Sequence, residues 1–239
     1  MDSPPGYPPD IQPVWTPWVT FHVINVQKEN SLYLIDTGMS GAIPALKRTL
    51  KNRGWDHLPI RGIVLTHGHY DHTRNVAELV RETGAWVAAP RLDKLHCEGR
   101  FPYRGWSRAC GWLEACGRRC LGFQAFTVTH WIDDGDSIPI GPGWTAIHLP
   151  GHTDGHMGYL HAAQKLLFTG DLFASFGALS HQPPRFLNSS PHQIARSLEL
   201  AASLNLEGIL PNHGWLATPA RHLEQLHRLA GRHRDREPS

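Results

Sequence analysis

The chain lacks any apolar run approaching the roughly 18 residues that a membrane-spanning helix needs, although 41% of its 239 residues are hydrophobic. Its first stretch, Met1 to Pro13, has five prolines and no apolar segment of the signal-peptide kind, so it is expected to form an irregular arm rather than a leader or anchor. Excess charge is also missing: 23 Lys and Arg against 21 Asp and Glu leave a formal net charge of +2, too little to argue for a nucleic-acid partner. Membrane and nucleic-acid partners are therefore not expected, and a cytoplasmic location is the default. Cysteine is scarce, and Cys97, Cys110, Cys116 and Cys120 do not form the paired CxxC spacing of a zinc ribbon. Without an export signal they are expected to be free thiols buried as small hydrophobes, with no functional role.

Histidine, by contrast, is abundant, with 17 residues, and its distribution is informative. The stretch Thr66-His67-Gly68-His69-Tyr70-Asp71-His72 follows the apolar run Ile63-Val64-Leu65 and packs three imidazoles and one carboxylate into six residues. If strand geometry persists, His67 and His69 point to the same side, while Asp71 and His72 fall where the chain must turn. Such a cluster reads as a metal site. Four other short apolar stretches end in similar chemistry: Tyr33-Leu34-Ile35 before Asp36, Ile147-His148-Leu149 before Pro150-Gly151-His152, Leu166-Leu167-Phe168 before Thr169-Gly170-Asp171, and Gly208-Ile209-Leu210 before Pro211-Asn212-His213-Gly214. Each has the form of a strand ending in a potential ligand, and five such ends suggest one convergent pocket.

These motifs, in this order, resemble the metallo-β-lactamase superfamily. The resemblance implies a four-layer αββα sandwich and one metal held by His67, His69 and His152. It implies a second metal held by Asp71, His72 and His213, with Asp171 bridging the two and Asp36 orienting ligands without being one. Imidazole and carboxylate suit Zn²⁺, two per chain, although Fe or Mn could take the same ligands. Two cations a few ångströms apart lower the pKa of a shared water, supply hydroxide near neutral pH and polarise the electrophile's oxygen. Asp71 is the candidate catalytic residue, orienting that hydroxide and passing its proton to the leaving group.

Between the motifs lie amphipathic segments, which by themselves argue only for layered α/β architecture in a single domain spanning residues 1–239. The expected helices are Ala42 to Arg53, with Pro44 in its first turn; Thr73 to Thr83; one opened by Ser190-Pro191 with a capping box to Gln193; and one opened by Thr218-Pro219.

The segment from about residue 90 to residue 126 breaks this rhythm and reads as an insertion. From Arg91 to Cys120 it has seven basic residues (Arg91, Lys94, Arg100, Arg104, Arg108, Arg118, Arg119) against three acids (Asp93, Glu98, Glu114), a local balance of +4. With Phe101, Tyr103, Trp106 and Trp112 interleaved, it is a candidate lid for an anionic, partly apolar small-molecule substrate, or else a solvated face.

The complete ligand set points away from β-lactam hydrolysis and towards the branch of glyoxalase II-like thioesterases and lactonases. The stretch after Asp171 lacks both the Gly-Cys-Gly that glyoxalase II enzymes often have and the Tyr frequent in quorum-quenching lactonases. The leading expectation is a dinuclear-metal hydrolase of a small ester, thioester or lactone. The alternatives are a phosphodiesterase or nuclease of the same superfamily, a β-lactamase-type amide hydrolase, a mono-iron oxidoreductase resembling persulfide dioxygenases, and a binding module without turnover. His156 reads as a loop histidine without a catalytic role.

Overall fold

Period-two alternation in the first half of the chain feeds two cores at once. The structure, a computed structural model, describes residues 4–17, 19–100, 102–103, 107–176 and 179–234. Six strands, β1 (Ile11–Trp15), β2 (Thr20–Val26), β3 (Ser31–Ile35), β4 (Ile60–Val64), β5 (Trp86–Pro90) and β6 (His130–Ile132), form one sheet in sequence order. The first three are antiparallel and the rest parallel. In β3, Leu32 and Leu34 face the outer helices, while Tyr33 and Ile35 face the second sheet. Val87 and Ala89 of β5 likewise face outwards and Ala88 inwards, as the pleat requires.

The second sheet contains β7 (Trp144–His148), β8 (Met157–His161), β9 (Leu166–Phe176) and β10 (Leu179–His181), all antiparallel to their neighbours, with β11 (Gly208–Gly214) parallel to β9. The helices are α1 (Ala42–Arg53), α2 (Tyr70–Thr73), α3 (Val76–Thr83), α4 (Lys94–Cys97), α5 (Arg108–Leu121), α6 (Pro191–Ser203) and α7 (Pro219–Arg234). Leu46 and Leu50 of α1 and Val76 and Leu79 of α3 pack on the first sheet, while Ile194 and Leu198 of α6 and Leu226 of α7 pack on the second. The order helix, sheet, sheet, helix is the expected αββα sandwich. Each buried Leu or Ile in these cores contributes about 1.5–3 kcal/mol.

Several local expectations are corrected. The N-terminal arm ends earlier than Pro13, because Ile11 to Pro13 belong to β1, where Pro13 pairs with His22. β1 is an edge strand, the place where a sheet tolerates proline. The helix expected from Thr73 to Thr83 is broken between α2 and α3, where the Asn75 amide donates to the carbonyls of Thr37, Gly38 and Met39. Ser190 is the N-cap of α6 and Pro191 its first residue, but the Ser190 side chain makes no capping hydrogen bond. Cys97 and Cys110 are buried, as expected, whereas Cys116 and Cys120 are exposed on α5. Among the described residues, no helix is long and apolar enough to cross a membrane.

Candidate metal centre

β4 stops at Val64, short of the histidine block, and the reason is Asp36. This residue follows β3 in a left-handed backbone conformation (φ 64°), uncommon for a side chain with a Cβ and tolerated best by Asn and Asp. Its Oδ1 accepts the backbone N–H of Thr66 at 2.8 Å and its Oδ2 the Thr66 hydroxyl at 2.8 Å. His67 and His69 therefore project from a loop rather than a strand. Their shared direction comes from that loop, and the Tyr159 hydroxyl, donating to the Leu65 carbonyl at 2.5 Å, fixes its start.

Two further ligand candidates lie inside strands rather than at strand ends. Asp171 is the sixth residue of β9, just after Gly170 (φ 52°). A Cβ at Gly170 would approach His156 Nε2 to 2.7 Å and Thr66 Cβ to 2.9 Å, so only glycine fits there. His213 is within β11, beyond register shifts at Pro211 that turn it towards the site.

The fold brings all seven expected ligands together. His67, His69 and His152 form one group, and Asp71, His72, Asp171 and His213 another; within each, the donor atoms lie within 4.8 Å of one another. Asp171 sits between the groups: its Oδ2 is 3.4 Å from His152 Nε2, 4.0 Å from His67 Nε2 and 3.0 Å from His213 Nε2, while its Oδ1 is 3.2 Å from His72 Nε2. Asp71 Oδ2 lies 3.3 Å from His213 Nε2 and 3.5 Å from His72 Nε2.

Hydrogen bonds on the far side of the rings fix their orientation. His72 Nδ1 is 3.0 Å from Asp36 Oδ2, His152 Nδ1 is 3.0 Å from Asn188 Oδ1, and His67 Nδ1 is 3.0 Å from the Thr66 hydroxyl. In a neutral ring, donating from Nδ1 leaves an Nε2 lone pair facing inwards. The Nε2 atoms of His67, His69, His72 and His152, and Asp171 Oδ1, are buried without a hydrogen-bond partner. Leaving polar atoms so is costly in a folded core unless something else meets them. Bare imidazole nitrogens and carboxylate oxygens around one space suit divalent cations, so the residues present fit the metals that the motifs imply.

Electrostatics follow the same division. Burial, reinforced by neighbouring imidazoles, holds His67 and His69 well below the usual histidine range. Burial also opposes charge on His72, yet the carboxylates of Asp171, Asp71 and Asp36 hold it well above that range. Asp71 and Asp171 stay ionised, because the surrounding histidines outweigh the burial that would raise them.

Three residues at the site were not recognisable from sequence. His156 is wholly buried rather than a loop bystander: its Nε2 accepts the backbone N–H of Asp171 at 3.0 Å and its Nδ1 donates to the Leu149 carbonyl at 2.9 Å. Asn188 holds His152. Asp93, fully buried in the insertion, accepts from Gly68 N–H at 2.8 Å, the Thr153 hydroxyl at 2.7 Å and Gly155 N–H at 2.9 Å, tying the loop of His67 and His69 to the loop of His152. A buried acid three residues after a strand has no local signature.

Among the described residues, no basic side chain of the insertion lines the cavity over the ligands. Arg91 pairs with Asp133 at 2.8 Å, Lys94 and Arg100 lie at 3.7 and 3.6 Å from Glu98, and Arg108 and Arg119 are exposed. Arg118 is buried, 3.6 Å from Glu114, and donates to the Gly68 and His96 carbonyls. Tyr103 packs against His69 and His96, and Trp112 is exposed; Phe101, Arg104 and Trp106 lie outside the described residues. Among the described residues, the segment contributes Cys110, Leu113, Glu114 and Gly117, all on α5, to the cavity over the ligands.

Residues 21–213 match the metallo-beta-lactamase superfamily. The chain belongs to this superfamily. Among curated relatives it is 24% identical over 220 residues to "Probable metallo-hydrolase YflN" of Bacillus subtilis, covering 85% of this chain and 83% of that one. It is 31% identical over 144 residues to the hydroxyacylglutathione hydrolase of Pseudomonas paraeruginosa, covering 59% of this chain but only 42% of that enzyme's length. Among solved structures it superimposes on TTHA1623 in a di-iron-bound form with a TM-score of 0.64 and 26% identity, covering 88% of this chain and 94% of the other. The fold is also that of BJP-1, a subclass B3 metallo-beta-lactamase of Bradyrhizobium japonicum, with a TM-score of 0.68 at 22% identity over 95% of this chain and 90% of that one. Membership in this superfamily of metallo-hydrolases and the His/Asp cluster together make the centre a divalent-metal site.

Proposed function

We propose that this member of the metallo-beta-lactamase superfamily hydrolyses a small ester, thioester or lactone with two metal ions, zinc by preference. The observation that carries the reading is the position of Asp171, whose carboxylate lies between a group of three histidines and a group of Asp71, His72 and His213. His67, His69 and His152 would hold one ion, Asp71, His72 and His213 the other, and Asp171 both. Neutral imidazoles with few carboxylates favour Zn²⁺, and iron, present in the related di-iron structure, is accommodated by the same donors. When bound, the ions would activate a water as nucleophile and polarise the carbonyl oxygen of the substrate.

The chain's own residues do the rest. Asp36, Asn188 and Thr66 keep the imidazoles of His72, His152 and His67 in the orientation that turns Nε2 inwards. His156 fixes the Asp171 backbone through its N–H. Asp71 is the more exposed of the two carboxylates in the ligand set, with 29% of its side chain accessible against 7% for Asp171, and it lines the cavity. It can orient the attacking water and accept its proton. The water oxygen bonds to the acyl carbon, the bond to the leaving oxygen or sulfur breaks, and the proton passes from Asp71 to that leaving atom. The test is metal analysis of the purified chain together with assays of thioesters, lactones, β-lactams and phosphodiesters under zinc, manganese and iron. Two zinc per chain with acyl turnover is the expected result; one iron per chain, or turnover of phosphodiesters alone, would overturn the reading.

A further inference from the structure

Two recesses open from the same ligand side chains, and both are walled by apolar groups. One, about 290 Å³, runs beneath α5 and is bounded by Met39, Leu113 and Gly117. The other, about 160 Å³, runs along β9 and β10 and is bounded by Phe173, Phe176 and Pro183, with His181 also lining it. His152, Asp171 and His213 line both, as does Leu187 from the one-turn helix Arg185–Leu187. A carbonyl placed at the ligands would therefore have one substituent in each recess.

Apolar surface continues outwards from both. Leu113, which lines the first recess, is itself 51% exposed. Beside the second recess, Leu179 pairs with Phe176 across the strands, and the ring of Trp215 lies 6.0 Å from that of Phe176; these two are 68% and 65% exposed. Single exposed apolar residues need no explanation, but a set contiguous with a cavity marks a binding surface.

Charge argues in the same direction. Among the described residues, no Lys or Arg lines either recess. Arg118, the buried guanidinium of the insertion, is engaged by Glu114 and by two backbone carbonyls and lies 4.0 Å over the ring of Phe123. Glu114, which does line the larger recess, accepts the Tyr70 N–H at 2.5 Å. Away from the ligand side chains, an anionic substituent in either recess would lose water without meeting a guanidinium or ammonium group of the described residues.

We infer that the substrate is a neutral ester or thioester with an apolar group on each side of the reacting carbonyl, one beneath α5 and one along β9 and β10. This inference rests on the hydrolytic reading above and replaces the anionic substrate that the basic composition of the insertion suggested. Specificity is then set by Gly117 and Ala174, the small residues in the two walls. A Cβ at Gly117 would meet Tyr70 at an ordinary 3.7 Å, so a larger side chain fits there and fills space otherwise open to substrate.

The test uses the zinc-loaded chain and a non-hydrolysable probe, phenyl hexyl ketone, compared with the analogue whose alkyl end is a carboxylate, by titration calorimetry. The ketone should bind at least about tenfold more tightly, since burying an unpaired carboxylate is costly. Gly117→Leu and Ala174→Leu should each weaken ketone binding. In assays of phenyl and alkyl esters, each variant should lower kcat/KM about tenfold for substrates lengthened on one side of the carbonyl, with opposite sides for the two variants. Equal or tighter binding of the carboxylate, or both variants penalising the same side, overturns the inference. Turnover with a preference for carboxylate-ended esters also overturns it while leaving the hydrolase reading in place; no turnover of any ester or thioester, charged or neutral, overturns both.

Discussion

Asp93 and Gly155 meet where the insertion touches the second half of the molecule: the Gly155 N–H donates to Asp93 Oδ1 at 2.9 Å, and a Cβ at Gly155 would approach that same oxygen to 2.7 Å. The other carboxylate oxygen holds Gly68 and Thr153. One buried acid thus sets the spacing between the loop of His67 and His69 and the loop of His152.

Asp93→Ala would strand three buried donors, each costing about 1–3 kcal/mol. We expect a lower urea midpoint and weaker metal binding in the group of three histidines than in the group of Asp71, His72 and His213. Titration of the apo-protein with zinc distinguishes the two groups, and a variant that fills both with native affinity would show that Asp93 only supports the fold.

Asp36→Asn keeps a side chain that tolerates the left-handed backbone but removes the carboxylate facing His72 Nδ1. Metal affinity at the group containing His72 should fall ~10–100-fold, read by competition with a chromogenic chelator, with the circular dichroism spectrum retained. Native affinity would mean that His72 does not depend on Asp36 for its orientation.

Asp71→Ala should lower kcat by at least ~10²-fold, the scale of a lost general acid–base group, and should release the metal of its group while His67, His69 and His152 keep theirs. His192→Ala, on the exposed face of α6, serves as the comparison and should leave metal content alone. Unchanged turnover in the Asp71 variant would remove it from the mechanism.

Burial pushes the His156 imidazole down to about 3, with His152 nearby adding to the effect. An unfolded histidine titrates near 6.5, so between those values the unfolded chain holds the extra proton. The stabilisation from His156 is therefore complete above about pH 6.5 and is lost as pH falls towards 3, with a slope of about 1.4 kcal/mol per pH unit. His156→Gln should flatten the acid limb of the stability curve by one proton. An identical slope in urea melts from pH 7 to pH 4 would argue against a neutral, buried His156.

Chelation should destabilise the protein, because the Nε2 atoms of His67, His69, His72 and His152 have no hydrogen-bond partner of their own. Zinc at a hundred times its Kd should restore ~2.7 kcal/mol per site, visible as a rise in Tm over the chelated protein. A Tm indifferent to both treatments would mean that the cluster does not bind metal in the folded state.

The sequence alone named the candidate ligands. The block from His67 to His72, together with His152, Asp171 and His213, is legible because each short apolar stretch is followed at once by its polar group and because these motifs, in this order, resemble the superfamily, a resemblance that also implied the four-layer sandwich. The run Leu32-Tyr33-Leu34-Ile35 is apolar throughout, and only the fold shows which of its residues face which core. Only the tertiary structure decided how those ligands are held and what surrounds them. Asp93 acts on Thr153 across 60 positions, Asp36 on Asn212 across 176, and His156 on Asp171 through a backbone N–H. Such contacts leave no periodic trace, because a hydrogen bond needs only one donor and one acceptor at the right distance. The insertion makes the same point in reverse: its composition is basic, but charge is a property of the chain, whereas the direction of each side chain is set by packing. Packing turned the described arginines towards Asp133, Glu98, Glu114 or solvent and left Leu113 and Gly117 facing the site.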